Sequence, residues 1–172
     1  MGLKWQCVEF ARRWSYLRKN SIFQSVEGAK DMWTQLKYVQ RVDDQRKYPL
    51  RRHRNGFSSL PHNETFLIYP EQKEMPYGHV AIIVDVSSSS IRIAEQNFNF
   101  YYWKSNFARE IPLKYENGKY FINDQYQVYG YLQIIDLNQD LKPRDQTIIS
   151  SSSTQLNFSM FFFLLVQMKI FI

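Results

Sequence analysis

The segment "HVAIIVDV" (79–86) constrains the fold more than any other. Five of its eight residues are β-branched, which favours a strand. From Val80 to Val84 no polar residue interrupts it, so the strand is expected to be buried on both faces. A polar turn, "SSSS" (87–90), leads into "IRIAEQNF" (91–98), which alternates with period 2. Ile91, Ile93 and Glu95 then share one face. A carboxylate at the end of an apolar face breaks the local pattern, and such breaks mark functional sites.

Further strands are expected on either side. "TFLIYP" (65–70) is a short β-rich run, "REIPLKYENGKYFI" (109–122) reads as a hairpin around Asn117-Gly118, and "VYGYLQII" (128–135) is a last strand. The first part of the chain has a different period. Residues 5–19 place Val8, Phe10, Ala11, Trp14 and Leu17 at helical spacing, with Arg12, Arg13, Arg18 and Lys19 over the remaining surface. Residues 26–38 form a second expected helix with Met32, Trp33 and Leu36 turned inward, although Gly28 weakens it. Residues 43–64, punctuated by Pro49, Asn55-Gly56 and Pro61, read as a long polar loop. Two helices followed by a run of strands predict an α+β fold, with N-terminal helices packed on an antiparallel sheet.

The chain has 172 residues, which suits one domain, placed at 1–136. Residues 137–172 read as a polar linker, including "SSSST" (150–154), and an apolar tail, "FSMFFFLLVQMKIFI" (158–172). That tail is shorter than the roughly 20 residues a spanning helix needs, so membrane contact is not expected. The net charge of +6 comes mainly from Arg12–Lys19 and Arg41–Arg54. Such charge runs usually form a solvated face, and no nucleic-acid motif accompanies them, so nucleic acid is not an expected partner. The N-terminus lacks the apolar core of a signal peptide. A single cysteine excludes an internal disulfide framework and fits a reducing, cytoplasmic compartment. No metal site is expected.

That cysteine, Cys7 in "KWQCVEFARRW", falls in the first turn of the first helix. A helix N-terminus stabilises a thiolate, yet a lone helical cysteine is more often an inert core residue. His79 opens the apolar strand directly after Gly78, whereas His53 and His62 lie in the polar loop and read as surface histidines. Glu95 follows His79 by 16 residues. Adjacent antiparallel strands joined by a serine turn would bring the two together, and a carboxylate on the second imidazole nitrogen fixes its tautomer. Cys7, His79 and Glu95 thus form a candidate catalytic triad in the papain-like order.

"KWQCVEFARRW" together with "YGHVAIIVDV…IRIAEQN" resembles the amidase domain of bifunctional glutathionylspermidine synthetase/amidases, within the CHAP group of papain-like cysteine hydrolases. The likeness runs over residues 2–136 and blurs across 38–64. It implies Cys7 as nucleophile, His79 as base and Glu95 as its orienting acid, with Arg12 and Asn97 contacting substrate. The Cys7 backbone N–H, with Gln6 beside it, would form the oxyanion hole. It also implies hydrolysis of glutathionylspermidine, or a related glutathione–polyamine conjugate, to glutathione and spermidine through a thioester, without cofactor. The family carries a further segment before the WQC motif where only Met1–Lys4 stand here, so the domain is expected to be N-terminally truncated and an inactive form is one alternative. A peptidoglycan amidase or endopeptidase is another. No phosphate loop or acidic metal cluster follows residue 136, so synthetase activity is not expected.

Overall fold

Helix α1 (Cys7–Lys19) shows why this stretch folds as it does. Its stripe of Phe10, Ala11, Trp14 and Ser15 is buried. Glu9 in the first turn and Arg18 and Lys19 in the last complement the helix dipole. Asn20 ends it in the left-handed conformation. The computed structural model describes residues 6–98, 102–103 and 105–144. Residues 1–5, the serine-rich run 150–154 and the apolar tail 158–172 lie outside the described residues.

The second helix, α2 (Ala29–Gln35), is shorter than its sequence pattern suggests. Gly28 stays extended, and its N–H donates to the Asp31 carboxylate at 3.0 Å, so the helix starts after it. Met32, Trp33 and Leu36 are buried as expected. Beyond Leu36 the chain turns into a strand rather than continuing as helix.

Among the described residues nine strands form a single antiparallel sheet: β1 (Ser21–Ile22), β2 (Tyr38–Arg41), β3 (Lys47–Arg54), β4 (Thr65–Tyr69), β5 (His79–Val86), β6 (Ser90–Ala94), β7 (Arg109–Glu116), β8 (Lys119–Ile122) and β9 (Gly130–Ile134). Their spatial order is β1-β2-β3-β9-β4-β5-β6-β7-β8. The last strand is therefore inserted between β3 and β4. Gly130 opens it at φ 138, where a Cβ would lie 1.9 Å from the His53 carbonyl oxygen, so only glycine lets these backbones approach.

β3 corrects the expected loop over 43–64. Tyr48 and Leu50 alternate inward while Lys47, Pro49 and Arg51 face solvent. The cations hid a period-2 pattern whose apolar half is only two residues long. Arg52 also reaches the carbonyl oxygens of Thr34 and Leu36, at 3.3 and 2.8 Å, and so satisfies orphan groups at the end of α2.

The sheet has a core on each face. Phe10, Trp14, Met32 and Trp33 from the helices pack with Phe66, Ile68, Val80 and Ile82. On the other face Leu67, Tyr69, Ala81, Ile83, Ile91 and Ile93 meet Phe57, Ile111, Leu113, Ile122 and Tyr131. Each fully buried large side chain of this kind contributes about 1.5–3 kcal/mol through lost apolar surface. The second core is closed because the sheet curls. Phe57 forms a β-bridge with Tyr120 of β8, and Asn55 hydrogen-bonds both backbone groups of Ile122. In β5, His79 to Ile83 are fully buried, while Val84, Asp85 and Val86 run out toward solvent. Residues after β9 return along α1: Leu141 is buried, and the Arg144 N–H donates to the Leu17 carbonyl. Among the described residues, no helix is long and apolar enough to cross a membrane.

Candidate active site

Antiparallel pairing places several strand ends side by side. Tyr69 closes β4 directly opposite His79, which opens β5. Glu95 follows the last residue of β6, Arg109 opens β7, and Asp124 stands just past β8. Cys7 is the first residue of α1, with extended Gln6 before it. Gly78, at φ 69, delivers His79 to this row. A Cβ there would stand 2.7 Å from the Tyr69 carbonyl oxygen and 2.8 Å from the Lys30 nitrogen.

His79 and Glu95 are almost fully buried. Nε2 of His79 lies 2.9 Å from Glu95 Oε2. Cys7 acts on the same ring through a hydrogen bond and its charge. Burial alone would keep the imidazole neutral, but the hydrogen bonds to Cys7 and Glu95 and their negative charge outweigh it, raising its pKa to about 9. Burial likewise pushes the Cys7 thiol up. The hydrogen bond and charge of His79, with the backbone N–H groups of Val80 and Val8, override it and hold the thiol below its ordinary value. Glu95 follows the same logic: desolvation opposes ionisation, and His79 and Arg109 bring its pKa below the usual carboxylate range. A thiolate facing an imidazolium is an arrangement able to attack a carbonyl carbon and then protonate a leaving group.

The CHAP domain model matches residues 1–97. The chain belongs to the CHAP domain family. It is 34% identical over 123 residues to trypanothione synthetase of Crithidia fasciculata, covering 72% of this chain and 19% of that protein. It is 35% identical over 129 residues to the bifunctional glutathionylspermidine synthetase/amidase of Escherichia coli K12, covering 73% of this chain and 21% of the relative. Glutathionylspermidine synthase of Crithidia fasciculata matches over 138 residues at 34% identity. The chain thus spans about a fifth of the length of these relatives. Family and architecture agree on an α+β, papain-like fold and support a hydrolase of the CHAP type.

In this CHAP domain the remaining sequence-derived residues fall into two groups. Gln6 and Asn97 meet beside Cys7: Asn97 Nδ2 donates to Gln6 Oε1 at 2.8 Å, with Asn97 in the left-handed conformation at φ 59. Arg12 is half-buried on α1, and its Nε is shielded from solvent without a hydrogen-bonding partner among the described residues. Five residues from Cys7, it is turned about 140° around the helix axis. α1 is further tied to the segment after β6 by Arg13, which donates to Gln96 at 2.9 Å and pairs with Glu9. His53, expected on the surface, is partly buried and stacks on Tyr131 at 4.5 Å.

Two residues escaped sequence reasoning. Arg109 Nε donates to Glu95 Oε1 at 2.6 Å, and its Nη1 donates to both oxygens of Asp124 at 3.2 and 3.0 Å. The one available signal was an arginine heading an alternating strand that begins where the Glu95 strand ends. Among the described residues no group of three or more His, Cys, Asp or Glu side chains could hold a metal ion.

Proposed function

We propose that this chain is a cysteine amidase that hydrolyses the amide joining the glutathione glycine to a polyamine, as in glutathionylspermidine, releasing glutathione and spermidine. The observation that carries this reading is the Cys7–His79–Glu95 arrangement. A thiol at a helix N-terminus shares one imidazole with a buried carboxylate 2.9 Å from its far nitrogen. The substrate class draws on the amidase named in one relative.

The Cys7 thiolate attacks the amide carbonyl carbon, and the oxyanion is received by backbone N–H groups at the start of α1, with Gln6 held beside it by Asn97. The C–N bond breaks as the His79 imidazolium gives its proton to the leaving amine. Water, deprotonated by the now neutral His79, attacks the thioester carbonyl. Cys7 leaves as thiolate and the glutathione carboxylate is freed. Glu95 keeps the ring in the tautomer that both steps need. Arg12 is a substrate contact in this reading. With the His79 pKa at about 9, kcat/KM should fall above about pH 9 as the proton for the leaving amine is lost.

Purified protein incubated with glutathionylspermidine should release free spermidine, and Cys7→Ala should release none. Equal release by both would overturn the assignment of Cys7. A folded wild-type protein whose Cys7 reacts as an activated thiolate but which leaves this substrate intact would overturn the substrate.

A further inference from the structure

The Glu95 carboxylate sits within a network of charged and polar groups from several elements. His79 approaches from β5, Arg109 from β7, Asp124 from beyond β8 and Tyr69 from β4, with Cys7 of α1 behind His79. Arg109 holds both oxygens of Glu95, through Nε at 2.6 Å to Oε1 and Nη2 at 3.2 Å to Oε2. The same guanidinium is clamped from behind. Asp124 accepts from Nη1, and the Tyr69 hydroxyl accepts from Nη2 at 3.1 Å while donating to Asp124 at 2.6 Å. Phe98 covers its face at 4.1 Å and packs on the His79 ring at 5.1 Å. From Cys7 through His79, Glu95 and Arg109 to Asp124, charges able to alternate in sign form an unbroken row.

We propose that Arg109, anchored by Asp124 and Tyr69, is a positioning residue that keeps the buried Glu95 ionised and thereby fixes which His79 nitrogen is left to serve Cys7. The inference rests on reading Cys7, His79 and Glu95 as the reacting triad. Without Arg109, Glu95 and Asp124 would be neighbouring buried carboxylates with no cation between them, and Glu95 would take up a proton. A protonated Glu95 donates to Nε2 instead of accepting from it. The ring proton then moves to Nδ1, which can no longer take the proton of the Cys7 thiol.

Cys7 is the chain's single cysteine, so alkylation by iodoacetamide reports it alone and needs no substrate. At about pH 6, Arg109→Met should react about tenfold more slowly than wild type, the equivalent of a one-unit upward shift of the thiol's acid limb. Arg109→Lys, which keeps the charge opposite Glu95, should stay within about threefold. Glu95→Gln should be slow, and adding Arg109→Met to it should change the rate by less than about twofold, because Arg109 acts through Glu95. Wild-type reactivity in folded Arg109→Met, or a further large loss on the Glu95→Gln background, would overturn the proposal. If Arg109→Met does not fold, Arg109→Lys decides: a tenfold loss there would overturn it. An acid limb in wild type at the position of a free thiol would sink the triad itself. Normal alkylation profiles with glutathionylspermidine left intact would sink only the substrate reading.

Discussion

Strands β5, β6 and β7 carry the same charge pattern twice, once on each face of the sheet. On one face Arg92 lies between Asp85 and Glu110, 3.3 and 3.4 Å away. On the other Arg109 lies between Glu95 and Asp124, 2.6 and 3.0 Å away. The first set is 43–55% exposed, whereas both carboxylates of the second are 4% exposed. Identical ingredients thus have different physics. Water screens the Arg92 set and can replace any member of it. In the Arg109 set each charge is held in place by its neighbours, because an unpaired one would stay buried. The difference arises from the curl of the sheet, which closes β8 over the face that carries Arg109.

The two sets should differ most in their effect on activity. Glu95→Gln should lower kcat/KM by about 10²–10⁴-fold, while Glu110→Gln leaves it unchanged, measured as spermidine release from glutathionylspermidine. Stability comes next. Arg109→Met should cost about 3–5 kcal/mol in urea unfolding, since two buried carboxylates lose their cation. Arg92→Met should barely move the midpoint.

The two sets should also respond differently to pH. Glu95 titrates below its unfolded value of 4.5. The native state therefore binds fewer protons there, and the contribution is present above about pH 4.5 and fades as pH falls through the folded pKa. The stability gap between wild type and Glu95→Gln should be widest near pH 6 and narrow toward pH 3. Glu110 is also lowered, first by Ser90 and then by Arg92. Being exposed, it should show almost no gap at any pH. The smallest effect expected is that of Tyr69→Phe, about 1 kcal/mol for the lost hydroxyl contacts, against no change for Ser90→Ala.

Much of this was legible in the sequence. Periodicity located α1, β4, β5, β6, the β7–β8 hairpin and β9, and the break in pattern at Glu95 pointed to its meeting with His79. What stayed hidden depended on tertiary closure. Arg109 reads as an exposed strand charge and Asp124, in "FINDQYQ", as a turn residue. Their burial appears only when β8 curls toward Phe57. β3 was hidden for the opposite reason, because its outward cations outnumber Tyr48 and Leu50, which decide its register.

The position of β9 bears on the order in which the molecule can be made. Residues 130–134 leave the ribosome after everything they join, yet β3 and β4 have no direct pairing without them. Until then each half of the sheet exposes an open edge, a template for pairing with other chains. Vectorial synthesis should therefore yield two waiting halves, and β9, on emerging, joins them and closes both of those edges.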